Sequence, residues 1–194
     1  MSTVTTRPAT AEDALAIAAL HRATHAEHFA MIEGYADEPW DAQITAHLTD
    51  PEAEAPPFTV LVAELGGHFA GHIAMHPMPN VTGGPAAHIS DISVRAGDRG
   101  YGVGRALVTA AEAEAERQGF SAALAMIWPD NKSSQAFFTA MGYASQPDKA
   151  RGMVIAAKRI GPLPPAANLD RLMLVGVFGL LAFIAAALGF GWLS

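Results

Sequence analysis

The sequence has no cysteine, few basic residues and little charge of either sign. Without cysteine there is no disulfide, no thiol nucleophile and no cysteine-built metal site, and the absence is neutral about compartment. Only 12 Lys and Arg stand against 19 Asp and Glu, a formal net charge of −7. A broad polyanion-binding face is therefore not expected, nucleic acid is not the expected partner, and a cationic acceptor suits the balance better. Residues 1–8 lack the basic, apolar and small-residue series of a secretory signal, so no targeting signal is expected there. The length of 194 residues suits one compact domain with something appended, since single domains commonly run to about 100–200 residues.

What is present centres on one stretch. His88-Ile89-Ser90-Asp91-Ile92-Ser93-Val94 alternates in polarity and is rich in β-branched residues, which predicts a strand over 88–94. Residues 105–118 carry Ala, Leu and Glu at helical spacing. Between them runs Arg99-Gly100-Tyr101-Gly102-Val103-Gly104, followed by Arg105. Glycines without a Cβ let successive backbone N–H groups turn toward one point, and the helix start adds its unpaired N–H groups and positive dipole end. Such a turn suits a diphosphate, with Arg99 and Arg105 adding charge. The dinucleotide fingerprint fails because the position three after Gly102 is Arg105, and the phosphate loop of nucleotidases fails because no Gly-Lys-Ser/Thr follows.

The remaining pattern, Arg-x-x-Gly-x-Gly after a strand ending in Val94, resembles the coenzyme A loop of the Gcn5-related N-acetyltransferases. A second segment, Asn131-Lys132-Ser133-Ser134-Gln135-Ala136-Phe137-Phe138-Thr139-Ala140-Met141-Gly142-Tyr143, resembles that family's Asn-led helix with its terminal Gly-aromatic. The resemblance runs from about Thr3 to about Arg159. It implies the acyl-CoA N-acyltransferase fold, an α/β (α+β) arrangement with a mixed, mostly antiparallel central sheet flanked by helices. It also implies acetyl-CoA as co-substrate, with Ile92, Ser93, Val94, Arg99, Gly100, Tyr101, Gly102, Val103, Gly104, Arg105, Asn131 and Phe138 as coenzyme-binding residues.

In chain order, a first strand is expected over 3–8 and a helix from Thr10 to about Phe29, its start marked by Thr10 and an acidic first turn. His21, His25 and His28 fall on one helical face at i, i+4 and i+7, either as packing residues or as ligands. Residues 31–50 suggest a loop and a second helix; in the resembled family this region helps form the acceptor pocket. Glu33, Asp37 and Glu38 there either attract an amine or form a solvated acidic loop. Strands are expected over 58–65 and 68–76 around a Gly66-Gly67 hairpin turn. His68, His72 and His76 repeat along that strand, but four residues span about 13 Å, too far for all three to hold one ion. A Pro- and Gly-rich connection follows over 78–85. Gly119 ends the helix, 122–128 reads as a strand, 131–141 as a helix, and 143–145 and 152–158 as closing strands.

The composition then changes. The expected N-acetyltransferase domain is 1–160, a proline-rich linker 161–170 and a transmembrane helix 171–193. Residues 172–193 contain no charge and as a helix would measure about 33 Å, against a hydrocarbon core of about 30 Å. Lys158, Arg159 and Arg171 precede it, so the expectation is a single-pass, tail-anchored membrane protein with its catalytic domain in the cytoplasm. Ala182/Ala186 and Ala185/Gly189 have small-xxx-small spacing, which leaves a homodimer open.

The implied chemistry is direct attack of an amine, small-molecule or peptide, on the thioester, with no metal. A lysine-like amine has a pKa of about 10.4, so its proton must be taken up. Asp91, just before the segment whose backbone in the family holds pantetheine, is the leading candidate and His88 the second; Asp91 equally suits a loop hydrogen bond or the acceptor's cation. The family often has a tyrosine that protonates the departing thiolate, where this sequence has Phe138. Water or Ser134 would have to substitute, Tyr143 and Tyr101 being less suitable. The alternative function is a catalytically weak acyl-CoA-binding sensor or membrane interaction module.

Overall fold

The computed structural model describes residues 3–32, 35, 39–50, 52–78 and 85–162. The expected transmembrane helix at 171–193, nearly all of the linker at 161–170, most of the connection at 78–85, and Glu33, Asp37 and Glu38 lie outside the described residues. Among the described residues no helix is long and apolar enough to cross a membrane. The chain divides into two compact units, one holding the elements up to His76 together with Ile89–Ala111, the other holding Pro77–His88 and the elements from Glu112 onward.

The first unit opens with β1 (Val4–Pro8) and α1 (Ala14–Met31). Between them Asp13 fixes the helix entry: its Oδ2 accepts from the Thr10 backbone N–H at 2.8 Å, and Arg7 forks onto its two oxygens at 2.7 and 2.9 Å. The buried stripe of α1 is Ala14, Ile17, Ala18, His21, Thr24 and His25, a helical repeat in which three of six members are polar. After α2 (Trp40–Thr49) come β2 (Thr59–Leu65) and β3 (His68–Met78), paired antiparallel from Leu65↔His68. Gly66 and Gly67 connect them at φ 59° and 83°, the left-handed conformation a tight hairpin requires. Val60, Leu61, Val62 and Ala63 are all buried, because the strand is covered on both faces. Ile17 and Ile44 pack with Phe58, Val60, Val62 and Ala74 on one face.

On the other face of β3, Gly71 admits a close neighbour: a Cβ there would lie 2.6 Å from the Ser93 carbonyl oxygen and 3.3 Å from Leu107. The strand order is β1-β2-β3-β4, with β4 at Ala86–Val94, of which Ile89–Val94 lies in the first unit, and α3 (Val103–Arg117), in the first unit as far as Ala111, follows. Among the boundaries that differ from expectation, two lie around the glycine turn. β4 begins at Ala86 rather than 88, since the buried Ala86 and Ala87 carry no polar alternation to announce a strand. α3 begins at Val103 rather than Arg105, because Val103 buries its side chain and so belongs to the helix's inner face.

In the second unit, β5 (Ala122–Ile127), α4 (Lys132–Ala140), β6 (Ala144–Asp148) and β7 (Met153–Arg159) give the order β5-β7-β6, antiparallel throughout. Ala86, Ala122, Leu124 and Ala157 form its core with Met78 and Met126 against them. The Lys158 ammonium donates to both Glu112 oxygens at 2.9 and 2.8 Å. Gly142 ends α4 at φ 85°, and Tyr143 turns back so that its N–H reaches the Phe138 carbonyl at 3.0 Å. Tyr143 thus belongs to the helix stop, not to the strand expected over 143–145.

Candidate active site

Successive side chains of a strand alternate, so Asp91 and Ser93 of β4 share a face. His72 from β3 and His21 from α1 meet them there. One carboxylate oxygen, Asp91 Oδ2, receives both rings, His21 Nδ1 at 2.6 Å and His72 Nε2 at 2.8 Å. The other, Oδ1, accepts from Ser93 Oγ at 3.2 Å. The side chains of His21, His72 and Asp91 are 2%, 0% and 8% exposed. Burial pushes the Asp91 carboxyl up, but the His72 and His21 imidazoles overcome this and hold it well below the usual carboxylate range. An ionised carboxylate held this way has little affinity for a proton at neutral pH. Asp91, the leading candidate base, is thus hydrogen-bonded to two imidazoles.

These three groups also constitute the one candidate metal set among the described residues, their ligand atoms lying within 4.8 Å of one another. Neighbouring ligands about 2.0–2.1 Å from an ion stand roughly 3.0–3.4 Å apart. At 2.6 and 2.8 Å the Asp91 oxygen is closer to both nitrogens than that, at the length of charge-assisted hydrogen bonds. As arranged, the set is hydrogen-bonded and does not fit an ion.

The His21 ring stacks on His25 with centroids 3.8 Å apart, and His25 Nδ1 lies 2.8 Å from the Tyr35 hydroxyl. His28 also faces Tyr35, at 5.5 Å between centroids, and burial lowers its pKa. The His68, His72 and His76 series does not converge: His68 Nε2 lies 3.2 Å from Asp98, His72 goes to Asp91, and His76 stands between Trp40 and Phe58, each 5.4 Å away.

Beyond Val94, the turn is pinned before its glycines begin. Arg95 N–H donates to the Ala70 carbonyl at 2.9 Å, and Asp98 takes His68 and sits 3.7 Å from Arg95. Gly100 and Gly102 have φ 84° and 87°, and a Cβ on either would meet nothing within 4 Å among the described residues beyond its chain neighbours, so the glycines serve backbone conformation and leave open space beside it. Ala106 N–H reaches the Gly102 carbonyl at 3.0 Å. The N–H groups of Val103, Gly104 and Arg105, in the first turn before it, have no carbonyl one helical turn behind them within α3. Positive dipole end, first-turn donors and clear space together fit an anion such as a diphosphate. Tyr101 and Arg105 are exposed beside it. Arg99 Nη2 donates to Glu27 of α1 at 2.8 Å and its Nε to the Val94 carbonyl at 3.2 Å.

In the second unit, Asn131 caps α4, its Oδ1 accepting from Ser134 N–H at 3.0 Å and Ser133 Oγ at 2.9 Å. Phe138 is buried and packs edge-on against Tyr143 at 5.0 Å and Phe137 at 5.4 Å, so its ring is a core element. His88, the second candidate base, is also buried. The residues that sequence reading left apart are His21 and His72. Their one visible signal was a polar ring within a core-facing stripe.

A profile of the acetyltransferase (GNAT) family matches residues 16–143. No curated protein sequence matches the chain. Among solved structures, the PaiA N-acetyltransferase of Thermoplasma acidophilum in complex with coenzyme A is similar at TM-score 0.64 and 14% identity, over 81% of this chain and 99% of that one. An acetyltransferase of Thermus thermophilus is similar at TM-score 0.59 and 23% identity, over 81% and 97%. The ribosomal-protein-S18-alanine N-acetyltransferase of Escherichia coli is similar at TM-score 0.59 and 14% identity, over 84% and 97%. The fold is the α/β acyl-CoA N-acyltransferase fold, with a mixed sheet and helices. With the family profile spanning 16–143, the chain belongs to the GNAT acetyltransferase family.

Proposed function

We propose that this protein transfers an acetyl group from acetyl-CoA to a primary amine by direct attack, and that residues 171–193 tether it to a membrane. The observation that carries the first part is the turn at 99–105, where two glycines in the left-handed region lead into the first turn of α3. Its N–H groups hold the diphosphate, and the main chain of Ile92, Ser93 and Val94 runs beside the pantetheine arm and polarises the thioester carbonyl. Within the second unit, Asn131 fixes the start of α4 and Phe138 packs its inner face. The coenzyme A bound to the Thermoplasma relative supports this reading. The acceptor is a small-molecule or peptide amine, and the acidic net charge favours a cationic one.

Catalysis here is positioning, carbonyl polarisation and removal of the amine proton. Phe138 has no proton to offer the departing thiolate. A thiol of pKa about 8.5 leaves tolerably at pH 7, so the lack of a tyrosine slows turnover without abolishing it. The same Phe138 is the observation behind a second reading, an acyl-CoA sensor with little transfer activity. Thiol release from acetyl-CoA across a panel of amines separates the two. Release that depends on amine concentration supports the transferase. Saturable acetyl-CoA binding with no amine-dependent release supports the sensor.

A further inference from the structure

We propose that Asp98 is a positioning residue for acetyl-CoA: joined to His68 of β3, it holds the main chain of 99–105 in the direction that presents its N–H groups to the diphosphate. The proposal rests on the acetyltransferase reading above, which puts the diphosphate at that turn, and adds the residues that keep the turn in place.

Main-chain donors grip an anion only as firmly as the chain that carries them is itself held, because any freedom left to the turn must be given up on binding. Between Arg99 and Val103 the side chains add little hold. Gly100 and Gly102 have none to pack, and the Tyr101 between them is exposed.

The hold comes from β3, whose first four residues each touch the segment that leads into the turn. His68 Nε2 lies 3.2 Å from either oxygen of Asp98, the Phe69 carbonyl accepts from Arg95 Nη1 at 3.1 Å, and the Ala70 carbonyl accepts from the Arg95 N–H at 2.9 Å. Gly71, without a Cβ, lets the Ser93 carbonyl come close, with Leu107 of α3 beside it. The contacts descend in step, 68 with 98, 69 and 70 with 95, and 71 with 93, so a slip of one residue would break them all.

Of these contacts the one at Asp98 stands nearest the turn, one position before Arg99. A carboxylate so near an anion site would by itself repel the anion. Its oxygens are engaged elsewhere: both face His68, and Arg95 Nε stands 3.7 Å from one of them. The carboxylate accepts, so His68 Nε2 supplies the hydrogen. The short helical turn Ala96–Asp98 is closed by Asp98 N–H on the Arg95 carbonyl at 2.9 Å and Arg99 N–H on the Ala96 carbonyl at 3.4 Å, so a displaced Asp98 carries Arg99 and Gly100 with it. The Asp98 side chain is 13% exposed and that of His68 50%, so the carboxylate is largely withdrawn from water while the ring that holds it can be removed with little loss of packing.

The test is calorimetric titration of the full chain with acetyl-CoA, for the wild type, His68→Ala, Asp98→Ala and the double variant, with steady-state kinetics on the same proteins using an amine from the panel above. Asp98→Ala should weaken acetyl-CoA binding about tenfold and His68→Ala about three- to tenfold. The double variant should be no weaker than Asp98→Ala, because both changes remove one contact. The number of sites per chain should stay at the wild-type value, and KM for acetyl-CoA should rise with kcat at saturation unchanged. A role in stability alone would instead lower the number of competent sites and kcat while leaving the dissociation constant as it was, and that result would overturn the proposal. So would Asp98→Ala binding as tightly as the wild type or tighter, the outcome if the carboxylate only repels the anion, and so would losses that simply add in the double variant. If Asp98→Ala does not fold, His68→Ala, altered at a half-exposed ring, decides by the same readings. A wild type that binds no acetyl-CoA would instead contradict the acetyltransferase reading itself.

Discussion

Asp13 shows how one carboxylate can organise a chain entry. The Arg7 guanidinium lowers its pKa first of all, with the Thr10 N–H adding to the effect against burial, and the helix start depends on the same oxygens. A folded pKa below the unfolded value of about 3.9 gives stability that is complete above that pH and is lost as pH falls through the folded value. Asp13→Asn should therefore cost about 1–2 kcal/mol in urea unfolding at pH 7, with the gap to wild type closing below about pH 4. Gly71 makes the opposite kind of demand, on space. Gly71→Ala drives a Cβ toward the Ser93 carbonyl, which is backbone and cannot swing aside. We expect a loss of about 1–3 kcal/mol in the same experiment, and a raised KM for acetyl-CoA because β4 must shift. Residue identities near the site were legible only in part. Asp91 stood out beside the glycine turn, but its partners lie 70 and 19 positions away, and no local period brings α1 and β3 together over β4.

Among elements, the strand, glycine turn and helix running from Ala86 to Arg117 carried the clearest signal, because each part has its own chemistry: β-branched alternation, residues tolerant of positive φ, and helical spacing. The hairpin at Gly66 and Gly67 was equally legible, for the same reason. What failed was edges: small buried residues such as Ala86 and Val103 extend elements without announcing it. The commitment of Arg99 to Glu27 was also hidden, since it links residues 72 apart. The turn yields a sharp expectation. At Gly102 a Cβ meets nothing within 4 Å among the described residues beyond its chain neighbours, so Gly102→Ala should cost mainly the left-handed backbone penalty of about 1–2 kcal/mol in thermal or urea unfolding. If the open space beside it is the diphosphate's place, acetyl-CoA affinity by calorimetry should fall about tenfold or more, out of proportion to that stability loss.

At the scale of the whole molecule, family membership was legible from two motifs in the right order, and the profile over 16–143 bears it out. The proposed membrane attachment rests on the uncharged run at 172–193 and the basic residues before it. The full chain should pellet with membranes and stay there through an alkaline carbonate wash, while a chain ending at residue 162 should remain in the supernatant. Recovery of both in the supernatant would contradict the tether. The most direct measurement of the central claim is calorimetric titration of the full chain with acetyl-CoA. The account predicts saturable binding of one coenzyme per chain, weakened when the Gly102 backbone is altered by Gly102→Ala. No heat of binding in the wild type, or equal affinity in the two proteins, would contradict it.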